Sequence, residues 1–228
     1  MKEKTFFRVN FSKKKLISII QKTETFKNPN LELEQYCIDA KCAVDIIYFA
    51  GFEFNDISNA IVVDLGAGTG RLSLASAFLE AAFILSVDID QEALKILKRN
   101  VRSLDLDHLI FPICSDITHF EISKKNISKN IKITTIMNPP FGVKTRSADR
   151  VFLDKAFTFS DVVYSIHLAG EKIQNFITNY VNRFKWKIDN IFPYNIILER
   201  SFPFHTQKTK KIDVNVYRFI KNTTENTG

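Results

Sequence analysis

Ile61-Val62-Val63-Asp64-Leu65-Gly66-Ala67-Gly68-Thr69-Gly70 decides the fold of this chain. Residues 61–65 are a short, almost continuously apolar run bounded by turn residues, which reads as a buried strand. Three glycines then fall within five positions. The whole chain of 228 residues holds only 7 glycines, so such a cluster marks a loop that needs positive φ or close backbone approach. Leu72 to Glu80 follows with helical spacing. Strand, glycine loop and helix together form the opening unit of an α/β sheet.

The same alternation continues on both sides. Phe11 to Lys22 and Ile38 to Phe49 read as helices ahead of this unit. After it come strands at Phe83–Asp88, Leu109–Cys114, Ile131–Met137 and Val162–Leu168. Helices at Gln91–Val101, Val151–Phe159 and Lys172–Arg183 lie between or after them. Lys187–Leu198 and Ile212–Ile220 read as closing strands. Seven strands alternating with helices predict a mostly parallel seven-stranded sheet with helices on both faces. No repeat or linker divides the chain, so residues 1–228 are expected to form one domain. Its residues 1–50 form an N-terminal helical segment, and 221–228 a disordered polar tail.

Ligands of such sheets bind beyond the carboxyl ends of the strands. A dinucleotide fingerprint needs G-x-G-x-x-G, but here the third glycine is one position early and Asp64 precedes the loop. That spacing fits an S-adenosylmethionine (SAM) site rather than a NAD site. Asp88 ends the second strand about 20 residues after the glycines, where an acid can bind ribose hydroxyls. It could equally cap the next helix, as could Asp90. Asp116 ends the third strand, suited to an adenine amine or to a turn.

The fourth strand ends in Asn138-Pro139-Pro140-Phe141. The prolines fix φ and remove two backbone donors. The Asn side-chain oxygen and nearby carbonyls can accept both hydrogens of a planar NH2 group. Phe141 can stack on the conjugated system that carries the amine. The motif therefore fits the exocyclic amine of a nucleobase or a side-chain amide. Tyr164 and His167 on the fifth strand read as packing residues.

Composition sets the outer bounds. The chain is 45% hydrophobic and 25% charged, ordinary for a globular protein. No apolar run could span a bilayer, and no signal peptide is recognised, so no membrane association is expected. The net charge of +7 favours a polyanionic partner. Lys13-Lys14-Lys15 and Lys208, Lys210 and Lys211 are candidate phosphate contacts, or simply solvated faces. Cys37, Cys42 and Cys114 lack metal spacing and read as free thiols of a reducing compartment, the cytoplasm. The four scattered histidines (His108, His119, His167, His205) form no ligand pair, so no metal site is expected.

With these residues in place, the chain resembles the class I SAM-dependent amino-methyltransferases, which have a Rossmann-like fold. Leu33-Glu34-Gln35-Tyr36, Val87-Asp88-Ile89-Asp90, Met137 to Lys144, Asp149 with Phe152-Leu153, Val163 to His167, Phe204-His205 and Lys210 to Val214 narrow this further. Together they resemble the methyltransferase-like protein 5 family, over nearly the whole chain. The resemblance implies SAM-dependent methylation of adenosine N6 in small-subunit ribosomal RNA, and a small zinc-ribbon activator subunit as partner. A eukaryotic source would admit the nucleus as well as the cytoplasm.

It also implies roles. Gln35 and Tyr36 would close over SAM. Asp64, Gly66, Gly68, Thr69, Gly70 and Arg71 would form the cofactor loop, with Gly66, Thr69 and Arg71 at its methionine and ribose end. Asp88 would hold the ribose and Asp116 the adenine. Asn138, Pro139, Pro140 and Phe141 would hold the target base. The chain departs from the family in having Cys37-Ile38 after Gln-Tyr, where Pro-Thr is usual, so Ile38 supplies no hydroxyl. Ala67 and Thr69 replace frequent cysteines. A protein glutamine methyltransferase, a DNA amino-methyltransferase and a non-catalytic SAM- or RNA-binding scaffold stay open as alternatives. The apolar segment Leu104 to Ile113 is either a core strand or an edge open to strand addition by the activator.

Overall fold

The computed structural model describes residues 12–142, 148–199 and 209–222. In chain order the elements are α1 (Lys13–Gln21), α2 (Ala40–Tyr48), β1 (Ile61–Leu65), α3 (Arg71–Ala77), β2 (Phe83–Asp88), α4 (Gln91–Ser103) and β3 (Ile110–Cys114). They continue with β4 (Ile133–Met137), α5 (Ala148–Phe159), β5 (Val162–Leu168), α6 (Glu171–Asn182), β6 (Trp186–Glu199) and β7 (Thr209–Lys221). The expected residues Phe11, Val143, Lys144, Phe204, His205 and Lys208, and the tail from residue 223 on, lie outside the described residues.

The seven strands form one sheet in the order β3-β2-β1-β4-β5-β7-β6. The five strands β1 to β5 pair in parallel, and β7 runs antiparallel between β5 and β6. Strand order reverses between β1 and β4, so the crevice beyond their carboxyl ends is the switch point where ligands bind. All five residues of β1 are buried, as a strand covered on both faces requires. Side chains alternate: Val62 packs into a core shared with α1 to α4, and Ile61, Val63 and Leu65 into one shared with α5 and α6.

Local signals account for the helices. Ser12, Asp39 and Asp90 cap α1, α2 and α4 by accepting backbone N–H bonds from Lys15, Cys42 and Glu92. In α4, Ala93, Leu94, Leu97 and Val101 are buried at helical spacing. Boundaries differ from expectation where tertiary contacts intervene. The α3 helix stops at Ala77 rather than Glu80, because Glu80 turns the chain at φ 61°. The β4 strand starts at Ile133 because the Ile131 N–H is taken by the Ser128 carbonyl in a turn. The β6–β7 pairing runs past β5, from Asn195–Asp213 to Glu199–Thr209, so these strands are longer than periodicity suggested.

Candidate active site

The glycine loop leaves β1 over β2. Gly66 and Ala67 both donate to the Val87 carbonyl, at 2.8 and 3.0 Å. Gly70 has φ 94°, and a Cβ there would lie 2.0 Å from Leu97 Cδ1, so any side chain here would be strained and would have to displace Leu97. The Gly68 N–H donates to Asp88 Oδ2 at 2.7 Å. Asp90 serves as the α4 cap, which leaves Asp88 to the loop and the cavity. Burial raises the Asp88 carboxyl above its ordinary value, against bonds from the Asp90 and Gly68 N–H groups. Asp116 forms the expected turn. Its Oδ1 accepts from the Thr118 N–H and hydroxyl, which lower its pKa, and the residue also lines the cavity.

The N-terminal segment roofs this loop. A Cβ on Gly68 would come within 3.2 Å of the Phe26 ring. Asn100 ties the layers together: its Oδ1 accepts from Glu24 N, and its Nδ2 donates to the carbonyls of Glu24 and Thr69. Sequence reasoning did not single out Asn100, although a polar residue on the apolar stripe of α4 was the signal. Arg71 is buried and donates from Nη1 to the Ile38 carbonyl at 2.7 Å. Ile38 therefore contributes its backbone, which needs no hydroxyl. Cys37 Sγ lies 3.5 Å from Thr69 Oγ1. Gln35 takes the Asn30 N–H on Oε1 and donates from Nε2 to Asp90 Oδ2, each at 2.7 Å.

The residues that follow β4 stand opposite. Tyr36 donates its hydroxyl proton to Asn138 Oδ1 at 2.8 Å, and its ring lies 5.3 Å from that of Phe141. Burial pushes the Tyr36 phenol well up, against the opposing Asn138 bond, so it remains a donor near neutral pH.

Gln35, Tyr36, Gly66, Gly68, Thr69, Gly70, Arg71, Asp88, Asp116, Asn138 and Pro140 line one cavity of about 370 Å³. Three expected residues do not line it. Asp64 is fully buried beneath the loop, where its Oδ2 accepts from the N–H and hydroxyl of Ser73. Burial raises its pKa to about 7. Pro139 is buried, and Phe141 packs against Tyr36 and the core. Tyr164 and His167 are buried, as expected of packing residues. Among the described residues, no group of three or more His, Cys, Asp or Glu could hold a metal ion.

The cavity falls within the range that small ligands use. Its lining joins acidic groups for hydroxyls and amines to an apolar wall formed by Phe26, Ile89, Ile117 and Phe152. Among the described residues, the buried side-chain atoms left without a partner are Asp64 Oδ1 and Arg71 Nε, below and beside it. This donor set fits the sugar, base and amino-acid parts of SAM.

Sheet order, glycine loop and strand-end acids define a class I, SAM-dependent methyltransferase. Residues 54–185 match the TRM5/TYW2 methyltransferase domain. The chain is 34% identical to the rRNA N(6)-adenosine-methyltransferase METTL5 of Danio rerio, covering 90% of this chain and 97% of that protein. It is 37% identical to the uncharacterized protein MJ0284 of Methanocaldococcus jannaschii, over 92% and 94% of the two chains. The crystal structure of PH1948 from Pyrococcus horikoshii superposes with a TM-score of 0.82 at 34% identity, over 94% and 98% of the two chains. The chain belongs to the METTL5 family of methyltransferases. No helix of the described residues is long and apolar enough to cross a membrane.

Proposed function

We propose that this protein methylates N6 of an adenosine in small-subunit ribosomal RNA. The observation that carries the reading is that Asn138 and Pro140 open into the same cavity as Asp88 and Asp116. An amine held at the end of β4 therefore faces a cofactor held at the ends of β2 and β3. The family supports adenosine as the target, and the basic charge supports RNA. Residues 1–228 act as one catalytic domain, with residues 1–50 closing over the cofactor.

When bound, SAM supplies an electrophilic methyl group on a positive sulfonium. Asp88 would receive the ribose hydroxyls and Asp116 the adenine amine of the cofactor. The glycine loop, with Thr69 and Arg71, lines its methionine and ribose end, and Asp64 stiffens this loop from below through Ser73. The target adenine must leave its stack to reach Asn138, and the half-buried Phe141, outside the cavity lining, stacks on its face. Asn138 Oδ1 and the Pro139 carbonyl accept the two N6 hydrogens. The N6 lone pair is conjugated with the ring, so acceptors that favour a tetrahedral nitrogen bind the transition state better than the ground state. Holding this amine in the same cavity as the cofactor would supply much of the remaining rate by proximity and orientation.

A small zinc-ribbon activator subunit binds the free edge of β3. In support, β3 ends the sheet, Phe111 is 44% exposed and the neighbouring Ile89 is 54% exposed. Apolar side chains along an open edge suit strand addition. The enzyme works in the cytoplasm, or also in the nucleus if its source is eukaryotic.

The test is methyl transfer from labelled SAM to purified small-subunit ribosomal RNA, with and without a zinc-ribbon activator, read by nucleoside mass spectrometry. N6-methyladenosine that depends on the activator is expected. Label absent from RNA despite intact SAM binding would overturn the substrate.

A further inference from the structure

The segment Asn30–Tyr36 joins the two halves of the cavity. At its start, Asn30 Oδ1 accepts from the Glu32 N–H at 2.9 Å, an Asx turn. Glu34 then adopts φ 49°, a left-handed conformation uncommon for a residue with a Cβ. That turn directs the next two side chains to opposite sides of the cavity. Gln35 is held from both ends of its carboxamide, by the Asn30 N–H and by Asp90. Asp90 also caps α4, two residues after Asp88. Tyr36 reaches the other way, to Asn138 Oδ1, and rests on Phe141.

We infer that Tyr36 is a positioning residue for methyl transfer: its hydroxyl holds the Asn138 carboxamide with Oδ1 toward the target amine and couples that acceptor to closure of the 30–36 strap over the cofactor. The inference rests on the proposed amine-binding role of Asn138. An amide oxygen has two acceptor sites, so the Tyr36 bond leaves one for an N6 hydrogen. Without it, the carboxamide can rotate and present its NH2 group to the amine, a donor facing a donor. The bond joins residues 102 positions apart and ties the strap directly to the residue that follows β4. Ring centroids 5.3 Å apart leave no room for a base between Tyr36 and Phe141, so the target adenine meets the free face of Phe141.

The tests are Tyr36→Phe, which keeps the ring and removes the hydroxyl, Asn138→Ala and the double variant. Calorimetric titration with SAM alone, without RNA, reads the coupling. Each single variant should weaken SAM binding by roughly two- to tenfold, the range of one hydrogen bond. The double variant should weaken it no further than either one. In turnover with ribosomal RNA, Tyr36→Phe should lower kcat about tenfold or more and leave KM for RNA within about threefold, as expected of an interaction that acts in the transition state. Additive losses in SAM affinity would overturn the coupling. A lower KM with unchanged kcat would overturn it too, because Tyr36 would then be a placeholder that substrate displaces. Full activity of Asn138→Ala would instead remove the amine site itself, a separate failure.

Discussion

At the N-terminal ends of β4 and β5, Asp56 is fully buried and both of its oxygens are paired. Lys132 meets Oδ1 at 2.6 Å, while Arg218 Nε and the Tyr164 hydroxyl meet Oδ2 at 2.9 and 2.7 Å. Arg218 continues to Asp189 and stacks 4.1 Å above the Phe54 ring. At the carboxyl end of β1, Asp64 is equally buried, but one oxygen has only Ser73 donors and the other has none. Asp64 is pushed up to about 7, and Asp88 above it is raised as well, in both cases by burial. One end of the sheet completes its polar bonds internally. The other keeps acceptors in reserve where Asp88, Asp116 and Asn138 line the cavity, as a ligand site must.

Replacing Asn138 by Ala strikes the reserved end hardest. Loss of one preorganised acceptor should lower kcat by about 10² to 10³-fold, by analogy with oxyanion-hole donors. SAM affinity should stay within the small range expected for a single hydrogen bond. Comparable loss of both would mean that Asn138 is structural, and the contrast between the ends would blur.

Arg218→Ala strikes the completed end. Stranding Asp56 and Asp189 should destabilise the fold by about 3 kcal/mol, measured by urea unfolding. SAM affinity at a temperature where the variant remains folded should be unchanged. A shift in affinity instead of stability would erase the distinction.

Asp88→Asn should weaken SAM binding by about tenfold or somewhat more, the effect of one charge-assisted hydrogen bond, with little change in urea midpoint. Calorimetric titration checks it.

The smallest effect comes from Asp64→Asn and sharpens the comparison through pH. The native Asp64 value of about 7 lies above the ordinary 3.8, so near pH 5 to 6 the native state keeps a proton that the unfolded chain has released. The stability this contributes is complete below pH 4 and is lost as pH rises through about 7. Relative to Asp64→Asn, the unmodified protein should therefore lose about 1 kcal/mol between pH 6 and pH 7, read from unfolding midpoints without ligand. A flat difference would mean that Asp64 is already ionised in the native state.

Much of this contrast was legible in the residues, but unevenly. Mainly apolar runs ending at Asp64, Asp88 and Met137 placed the strands, because a strand buried on both faces has few other compositions. Rare glycines marked the loop, because only they accept its φ values. What sequence could not resolve was which acid faces the cavity. Asp64 and Asp88 both sit near strand ends, yet packing leaves Asp64 beneath the loop and Asp88 beside it. Pro139 and Phe141 share a motif with Asn138 and Pro140, but are not among the lining residues. Asn100 stood on an apolar stripe with nothing nearby in sequence to name its partners, Glu24 and Thr69.

The sequence by itself determined the order of elements, the SAM loop and the chemistry gathered at the strand ends, since periodicity, glycine and proline act over a few residues. Tertiary structure alone decided that Tyr36 meets Asn138, that Gln35 meets Asp90, and that Asp56 is paired where Asp64 is not. Those contacts join segments far apart in the chain, and their geometry exists only once both faces of the sheet are packed.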